Sequence, residues 1–89
     1  MNSKLILATL ANPVRLQLIC CLNRKAKNVQ ELISTCTLSQ SAVSQHLAKL
    51  RKAGLVTTKR DGTEIFYSLT HTKTSKIAHS ILSFINNRQ

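Results

Sequence analysis

Residues 38 to 54 of the chain, LSQSAVSQHLAKLRKAG, carry hydroxyl and amide side chains where Glu, Lys and Ala would form a surface helix better. At about 100° per residue, Val43, Leu47 and Leu50 fall on one face, which we predict to be buried. The opposite face presents serine and glutamine side chains, with lysines toward its end. Short side chains let a helix approach base edges in the major groove, and an amide can form two hydrogen bonds to adenine. The pattern therefore indicates a helix that binds duplex DNA.

The charge of the whole chain supports a polyanionic partner. Its 89 residues include 13 Lys plus Arg against 3 Asp plus Glu, a formal net charge of +10. Such an imbalance favours nucleic acid first and an acidic membrane surface second. No apolar run reaches roughly 18 residues and no signal-peptide cleavage pattern follows the N-terminus, so we expect no membrane span and a cytoplasmic location.

The elements that must position this helix follow from caps and turns. Asn12 before Pro13 is typical of a helix start, Asn28 with Glu31 resembles a capping box, and Gly54 ends the polar helix. The predicted elements are helices over 4–10, 13–23, 28–36 and 39–53, strands over 55–60 and 64–70, and a helix over 72–87. Because Thr37 and Leu38 leave only a tight turn between the third and fourth helices, these two form a helix-turn-helix. The predicted fold is mainly α with a β-hairpin wing, in the order α-α-α-α-β-β-α, as a single domain over residues 1–89.

Three segments together resemble one family across nearly the whole chain: LANPVRLQLICCL, VQELISTCTLSQSAVSQHLAKLRKAGLV and RDGTEIFYSL. They are similar to the ArsR/SmtB family of bacterial winged-helix repressors, nearest to its HlyU- and BigR-like branch. The resemblance implies a homodimer formed by the first and last helices, an inverted-repeat operator, and repression relieved by a metal or a reactive small molecule. We predict that the dimer is held by Leu5, Leu7, Ile77, Ile81, Phe84 and Ile85.

The resemblance also implies which side chains bind DNA. Base contacts fall to residues of the polar helix and backbone contacts to the lysines of that helix and to the wing. The predicted DNA-binding residues are Gln40, Ser41, Ser44, Gln45, Lys49, Lys52, Lys59 and Arg60. His46 lies at the edge of the predicted buried face, where we expect a hydrogen-bonded structural histidine rather than a DNA contact.

The metal sites of this family have no counterpart in the sequence. Where the family carries the thiol-containing motif ELCxC, this chain has ELISTC, with Ile33 in place of the first thiol. No Asp or Glu follows Glu64, so His71 and His79 lack the anionic partners that a divalent ion would use. We therefore predict no metal and no cofactor.

The three cysteines, Cys20, Cys21 and Cys36, show no CxxC spacing and are predicted to be reduced. In the resembling branch the position of Cys20 is a redox cysteine, but its partner near the end of the last helix is replaced here by Asn86 and Asn87. Cys20 and Cys21 point about 100° apart on a helix and cannot bridge, and Cys36 is expected to face the core. The sequence thus predicts no two-cysteine switch, and leaves a thiol-responsive repressor acting through Cys20 as an alternative.

Other classes of function fit less well. With 3 acidic residues, 3 histidines and no glycine-rich phosphate loop, the chain offers no catalytic constellation, so we expect no enzyme. A basic RNA-binding or membrane-surface module could use the same charge, but RNA-binding domains usually display stacking aromatic residues. The only aromatic residues are Phe66, Tyr67 and Phe84, and at least two of them take apparent core positions.

Overall fold

The fold is described by a computed structural model that covers residues 2–87, so Met1, Arg88 and Gln89 of the predicted domain lie outside the described residues. Five helices and one two-stranded antiparallel sheet follow each other in the predicted order. The elements are α1 (Ser3–Leu10), α2 (Pro13–Cys21), α3 (Val29–Cys36), α4 (Gln40–Lys52), β1 (Val56–Asp61), β2 (Glu64–Leu69) and α5 (Lys73–Asn86). The predicted fold class is confirmed.

The helix starts coincide with the caps that the sequence predicts. Asn12 accepts hydrogen bonds from the backbone N–H of Val14 and Arg15, and Pro13 opens α2. Asn28 and Glu31 form a complete capping box, with N···O distances of 2.8 and 3.0 Å. Each cap satisfies backbone donors that the first turn of a helix leaves unpaired, so these short polar residues fix where α2 and α3 begin.

The core lies around α2, which packs against α5, α3 and α4. The buried stripe predicted for α4, Val43, Leu47 and Leu50, is confirmed. Full burial of such side chains contributes about 1.5–3 kcal/mol each. The other buried apolar residues are Leu16, Leu18, Ile19, Leu22, Leu32, Cys36, Ala53, Leu55, Val56 and Ala78.

The hairpin that follows α4 is regular. β1 and β2 pair antiparallel from Val56 opposite Leu69 to Asp61 opposite Glu64. Gly62 turns the chain with φ of +66°, a left-handed conformation that glycine adopts without a steric penalty. Lys27, in the link between α2 and α3, exchanges two backbone hydrogen bonds with Tyr67 and ties that link to the outer edge of β2.

Helix α1 meets α2 at a bend of 93°. Its residue Leu7 is 68% exposed, so part of the apolar surface of α1 does not pack on the core. Among residues 2–87 no single helix has the length and apolar character to cross a membrane; α1 and α2 reach them only when taken together across their bend.

Candidate nucleic-acid interface

The turn between α3 and α4 sets the angle at which α4 leaves the body of the protein. Thr37 adopts the left-handed conformation with φ of 51°, and its hydroxyl donates to the carbonyl of Cys36 at 2.7 Å. Ser39 then caps α4 by accepting from the backbone N–H of Ala42. This compact turn packs α3 against α4 and forms a helix-turn-helix, as predicted.

Helix α4, the recognition helix of this unit, is polar on the side that faces away from the core. The predicted base-contacting residues Gln40, Ser41, Ser44 and Gln45 are all exposed. Lys49 and Lys52 are exposed as well and lie in the second half of the helix. Ser41, Gln45 and Lys52 lie on the side of the helix opposite the buried stripe, Ser44 and Lys49 lie at its margins, and Gln40 is exposed in the first turn. The structure thus exposes the whole predicted set on α4, and three of the six lie directly opposite the core.

The two predicted wing residues are placed differently. Lys59 and Arg60 are exposed in β1, opposite Phe66 and Ile65 of β2. Successive side chains of a strand point to opposite faces, so the two cations lie on opposite faces of the wing. A duplex that contacts one face of the wing meets only one of them directly.

Sequence reasoning missed Arg15, a buried arginine beneath the recognition helix. It is 9% exposed, and its Nε donates to the carbonyl of Thr9 at 2.6 Å. One Nη lies 3.4 Å from the carbonyl of Ala8, and the other lies 3.4 Å from Nδ1 of His46 on α4. The signal in the sequence is an arginine within the otherwise apolar start of α2. The predicted hydrogen bond of His46 is confirmed, and its having no contact with DNA stays a prediction.

The environment of His46 favours its neutral form. Partial burial lowers the pKa of the imidazole, and the positive charges of Arg15 and Lys49 lower that pKa further. Because a guanidinium has donors only, the Nδ1 atom that faces Arg15 accepts the hydrogen bond. The neutral imidazole therefore carries its proton on Nε2.

This geometry can be compared with known proteins. Residues 12–58, from the cap of α2 to the first residues of β1, match the family model described as "Bacterial regulatory protein, arsR family". The chain belongs to the ArsR family. The match includes both helices of the helix-turn-helix and stops within the wing.

Individual members of the ArsR family are similar over more of the chain. The transcriptional activator HlyU of Vibrio cholerae is 47% identical over 68 residues, which are 76% of this chain and 63% of that protein. The biofilm growth-associated repressor of Xylella fastidiosa is 38% identical over 76 residues, 85% of this chain and 67% of that protein. The chain therefore spans roughly two thirds of the length of these relatives.

Solved structures of similar regulators share the fold. Reduced HlyU from Vibrio cholerae N16961 matches with a TM-score of 0.76 at 39% identity, over 98% of this chain and 90% of that one. The repressor BigR from Xylella fastidiosa matches with a TM-score of 0.78 at 36% identity, over 91% of this chain and 83% of that one. The winged helix-turn-helix is thus the architecture of this ArsR-family chain.

The cysteines of this ArsR-family chain require a correction. Cys21 and Cys36, predicted to be reduced and unpaired, form a disulfide, and their Cα atoms lie 7.0 Å apart. The sequence argument compared residues by spacing, whereas α2 and α3 pack side by side and bring their C-terminal residues together. The expectation that Cys36 faces the core is confirmed, since its side chain is 2% exposed.

Cys20, the candidate redox residue, is a free, half-buried thiol. Burial raises its pKa, so the thiol form is favoured at neutral pH. The thiolate is the nucleophile in cysteine chemistry, and cations or a helix N-terminus would have to lower the pKa to produce it. The environment of Cys20 therefore gives no support to the thiol-responsive alternative. No group of three or more His, Cys, Asp and Glu within residues 2–87 is placed to hold a metal ion.

Large apolar side chains are exposed on α1 and on α5. Leu7 is 68% exposed, Ile77 51%, Phe84 70% and Ile85 46%. Leu5 and Ile81, which we also predicted in the dimer interface, are partly buried and pack against the core. Of the six residues predicted in the dimer interface, two therefore pack against the core and four are available to a second subunit.

Proposed function

We propose that this chain is a sequence-specific, double-stranded DNA-binding transcriptional regulator, acting as a repressor and as a homodimer on an inverted-repeat operator. The observation that carries the proposal is the division of α4 into two sides. Val43, Leu47 and Leu50 fix one side to the core, and the other presents amides, hydroxyls and amines to solvent. Membership of the ArsR family supports the same function.

The exposed side of α4 has the chemistry of a DNA-binding helix. Gln40 and Gln45 carry amides that can pair with an adenine edge through two hydrogen bonds, and Ser41 and Ser44 are short enough to let the helix enter the groove. Lys49 and Lys52 are proposed to bind backbone phosphates, as is the wing cation that faces the duplex. The net charge of +10 adds a sequence-independent attraction that brings the protein to DNA.

The exposed apolar face supports a homodimer. A domain of this size exposes few large apolar side chains in a cluster unless a partner covers them. Such side chains are exposed on both terminal helices, Leu7 on α1 and Ile77, Phe84 and Ile85 on α5, and a second copy of the chain would bury them isologously. A two-fold axis would then place two recognition helices on an inverted repeat. Occupying promoter DNA in this way excludes other proteins from it, which is why we propose repression, with the protein located in the cytoplasm.

Competition among three polyanions tests this function. The wild-type protein is offered a duplex that it selects from a random pool, a single strand of the same sequence, and vesicles containing anionic phospholipid. The proposal requires tight binding to the selected duplex and weaker binding to the other two at physiological salt. Equal binding to the single strand would favour an RNA-type or single-strand module, and preference for vesicles would favour a membrane-surface role. Either result contradicts the proposal.

A further inference from the structure

Arg15 is a buried cation whose hydrogen bonds go to two backbone carbonyls and an imidazole rather than to a carboxylate. Removing a guanidinium from water is costly unless its donors are satisfied by other acceptors. An arginine that served only as a surface charge would stay in water. The carbonyls it meets belong to Ala8 and Thr9, at the end of α1, where the helix dipole is negative. The buried charge is therefore stabilised by the C-terminus of α1.

The same guanidinium joins three helices. Its own backbone belongs to α2, its Nε and one Nη hold the end of α1, and its other Nη holds His46 of α4. A planar fork with donors on several edges can serve acceptors from different directions at once, whereas the single ammonium of a lysine cannot reproduce that geometry. The hydrogen bonds of Arg15 therefore form a side-chain link from α1 to the recognition helix.

We propose that Arg15 is a positioning residue that fixes the recognition helix to α1 through His46, and thereby sets the spacing of the two recognition helices in the dimer. The inference rests on the proposed function, because it assigns α4 to DNA and α1 to the dimer face. It deepens that function by naming the contact that makes the dimer face and the DNA-binding face one rigid unit. Leu7 directly precedes Ala8 and Thr9, whose carbonyls Arg15 holds, so the dimer surface and the link share one short helix.

The consequence concerns two half-sites rather than one. When one subunit is bound, the second binds with an effective concentration that depends on how well its recognition helix is aligned with the remaining half-site. If the link is loosened, each α4 keeps its own contacts with bases, but the two recognition helices of the dimer are no longer aligned with the two half-sites. Affinity for a complete inverted repeat should then fall more than affinity for a single half-site.

The experiment compares two duplexes: one selected by the wild-type protein from a random pool, and the same duplex with one half-site scrambled. For Arg15→Lys we expect the ratio of the two affinities to fall at least about fivefold, because the charge remains but the fork is lost. Arg24→Lys is the matched control, since Arg24 is exposed in the link between α2 and α3. Its ratio should stay within about twofold of the wild type.

Substitutions of His46 test the other end of the link and separate positioning from general stability. His46→Asn keeps an oxygen acceptor near the position of Nδ1 and should retain the wild-type ratio, whereas His46→Leu offers no acceptor and should behave like Arg15→Lys. Circular dichroism verifies that each variant is folded. If Arg15→Lys does not fold, the comparison of His46→Asn with His46→Leu decides the question alone.

The outcomes are distinct. A wild-type protein that binds both duplexes equally would refute the dimer on an inverted repeat, and the role of Arg15 with it. A wild type that prefers the complete repeat, combined with unchanged ratios for folded Arg15→Lys and His46→Leu, would refute the role of Arg15 alone. A lowered ratio in both, with His46→Asn and Arg24→Lys unaffected, supports it.

Discussion

Cys21 and Cys36, the last residues of α2 and α3, are joined by a disulfide across a Cα–Cα distance of 7.0 Å. The bridge ties the central helix of the core to the last residue of the first helix of the helix-turn-helix, directly before its turn. It therefore holds the position from which the chain turns into α4.

The disulfide should contribute to stability. It closes a loop with a sequence separation of 15 residues. Loops of about this length stabilise a fold by roughly 3 kcal/mol through the lost entropy of the unfolded chain. Urea unfolding with and without reductant should show a loss of about 2–3 kcal/mol for the wild type. Cys21→Ser should be insensitive to reductant. Alkylation of the denatured, unreduced wild type should label Cys20 alone; labelling of all three cysteines would contradict the bridge.

Substitutions on α4 should separate base recognition from charge. Replacing Gln45 or Ser41 with Ala should cost about 1–3 kcal/mol on the selected operator and leave binding to random duplex nearly unchanged. Replacing Lys59 or Arg60 with Ala tests the wing. Loss of the cation that faces DNA should weaken binding to both duplexes and reduce the salt dependence of binding. Fluorescence anisotropy on the two duplexes at several salt concentrations measures these effects. Equal losses on both DNAs for every variant would refute the assignment of α4.

The dimer face can be tested at Phe84, which is 70% exposed and so adds little to the core of one subunit. Phe84→Asp should give a folded monomer, because a carboxylate would be desolvated at the interface. Ile81→Asp should also destabilise the fold, since Ile81 packs against the core. Ile65→Asp, on the wing, is the control and should leave the assembly unchanged. Sedimentation equilibrium at micromolar concentration decides, and a monomeric wild type would contradict the proposed assembly.

His46 should make the fold less stable in mild acid. Its pKa in the folded protein is lowered, first by burial and then by the charges of Arg15 and Lys49, from an unfolded value of about 6.5. Below that value the unfolded state binds more protons, so the free energy of unfolding falls as the pH is lowered toward the folded pKa. His46→Asn removes this contribution, so the stability of the wild type relative to that variant should decrease between pH 7.5 and pH 5.5. A difference independent of pH in urea titrations would show that His46 does not titrate differently in the two states.

Features set by local chemistry could be predicted from the sequence. Asn12, Asn28 and Ser39 cap helices through hydrogen bonds within three residues, so the starts of these helices depend on neighbours in the chain. The buried stripe of α4 follows from helical periodicity in the same way. The exposure of the predicted base-contacting residues is the direct consequence of that stripe.

Features set by packing between elements could not be predicted from the sequence. The approach of Cys21 to Cys36 depends on how α2 and α3 lie side by side, and no spacing rule contains that information. The role of Arg15 depends on α1 ending above it and on His46 arriving from α4. For a related reason the predicted dimer residues fall into two groups. Periodicity places Ile81 and Phe84 on one side of α5, but only the packed structure shows that Ile81 packs against the core.

The central claim is that two copies of α4 enter the major groove at two symmetric half-sites. Hydroxyl-radical footprinting of the wild-type protein on its selected duplex tests this most directly. The account predicts protected segments related by a dyad, with half-site centres one helical turn, about 10 bp, or a multiple of it apart. It also predicts that the protection is lost at both half-sites together in the variant Ser41→Ala, Gln45→Ala. A single protected segment without a dyad, or a footprint that this double variant leaves intact, would contradict the claim.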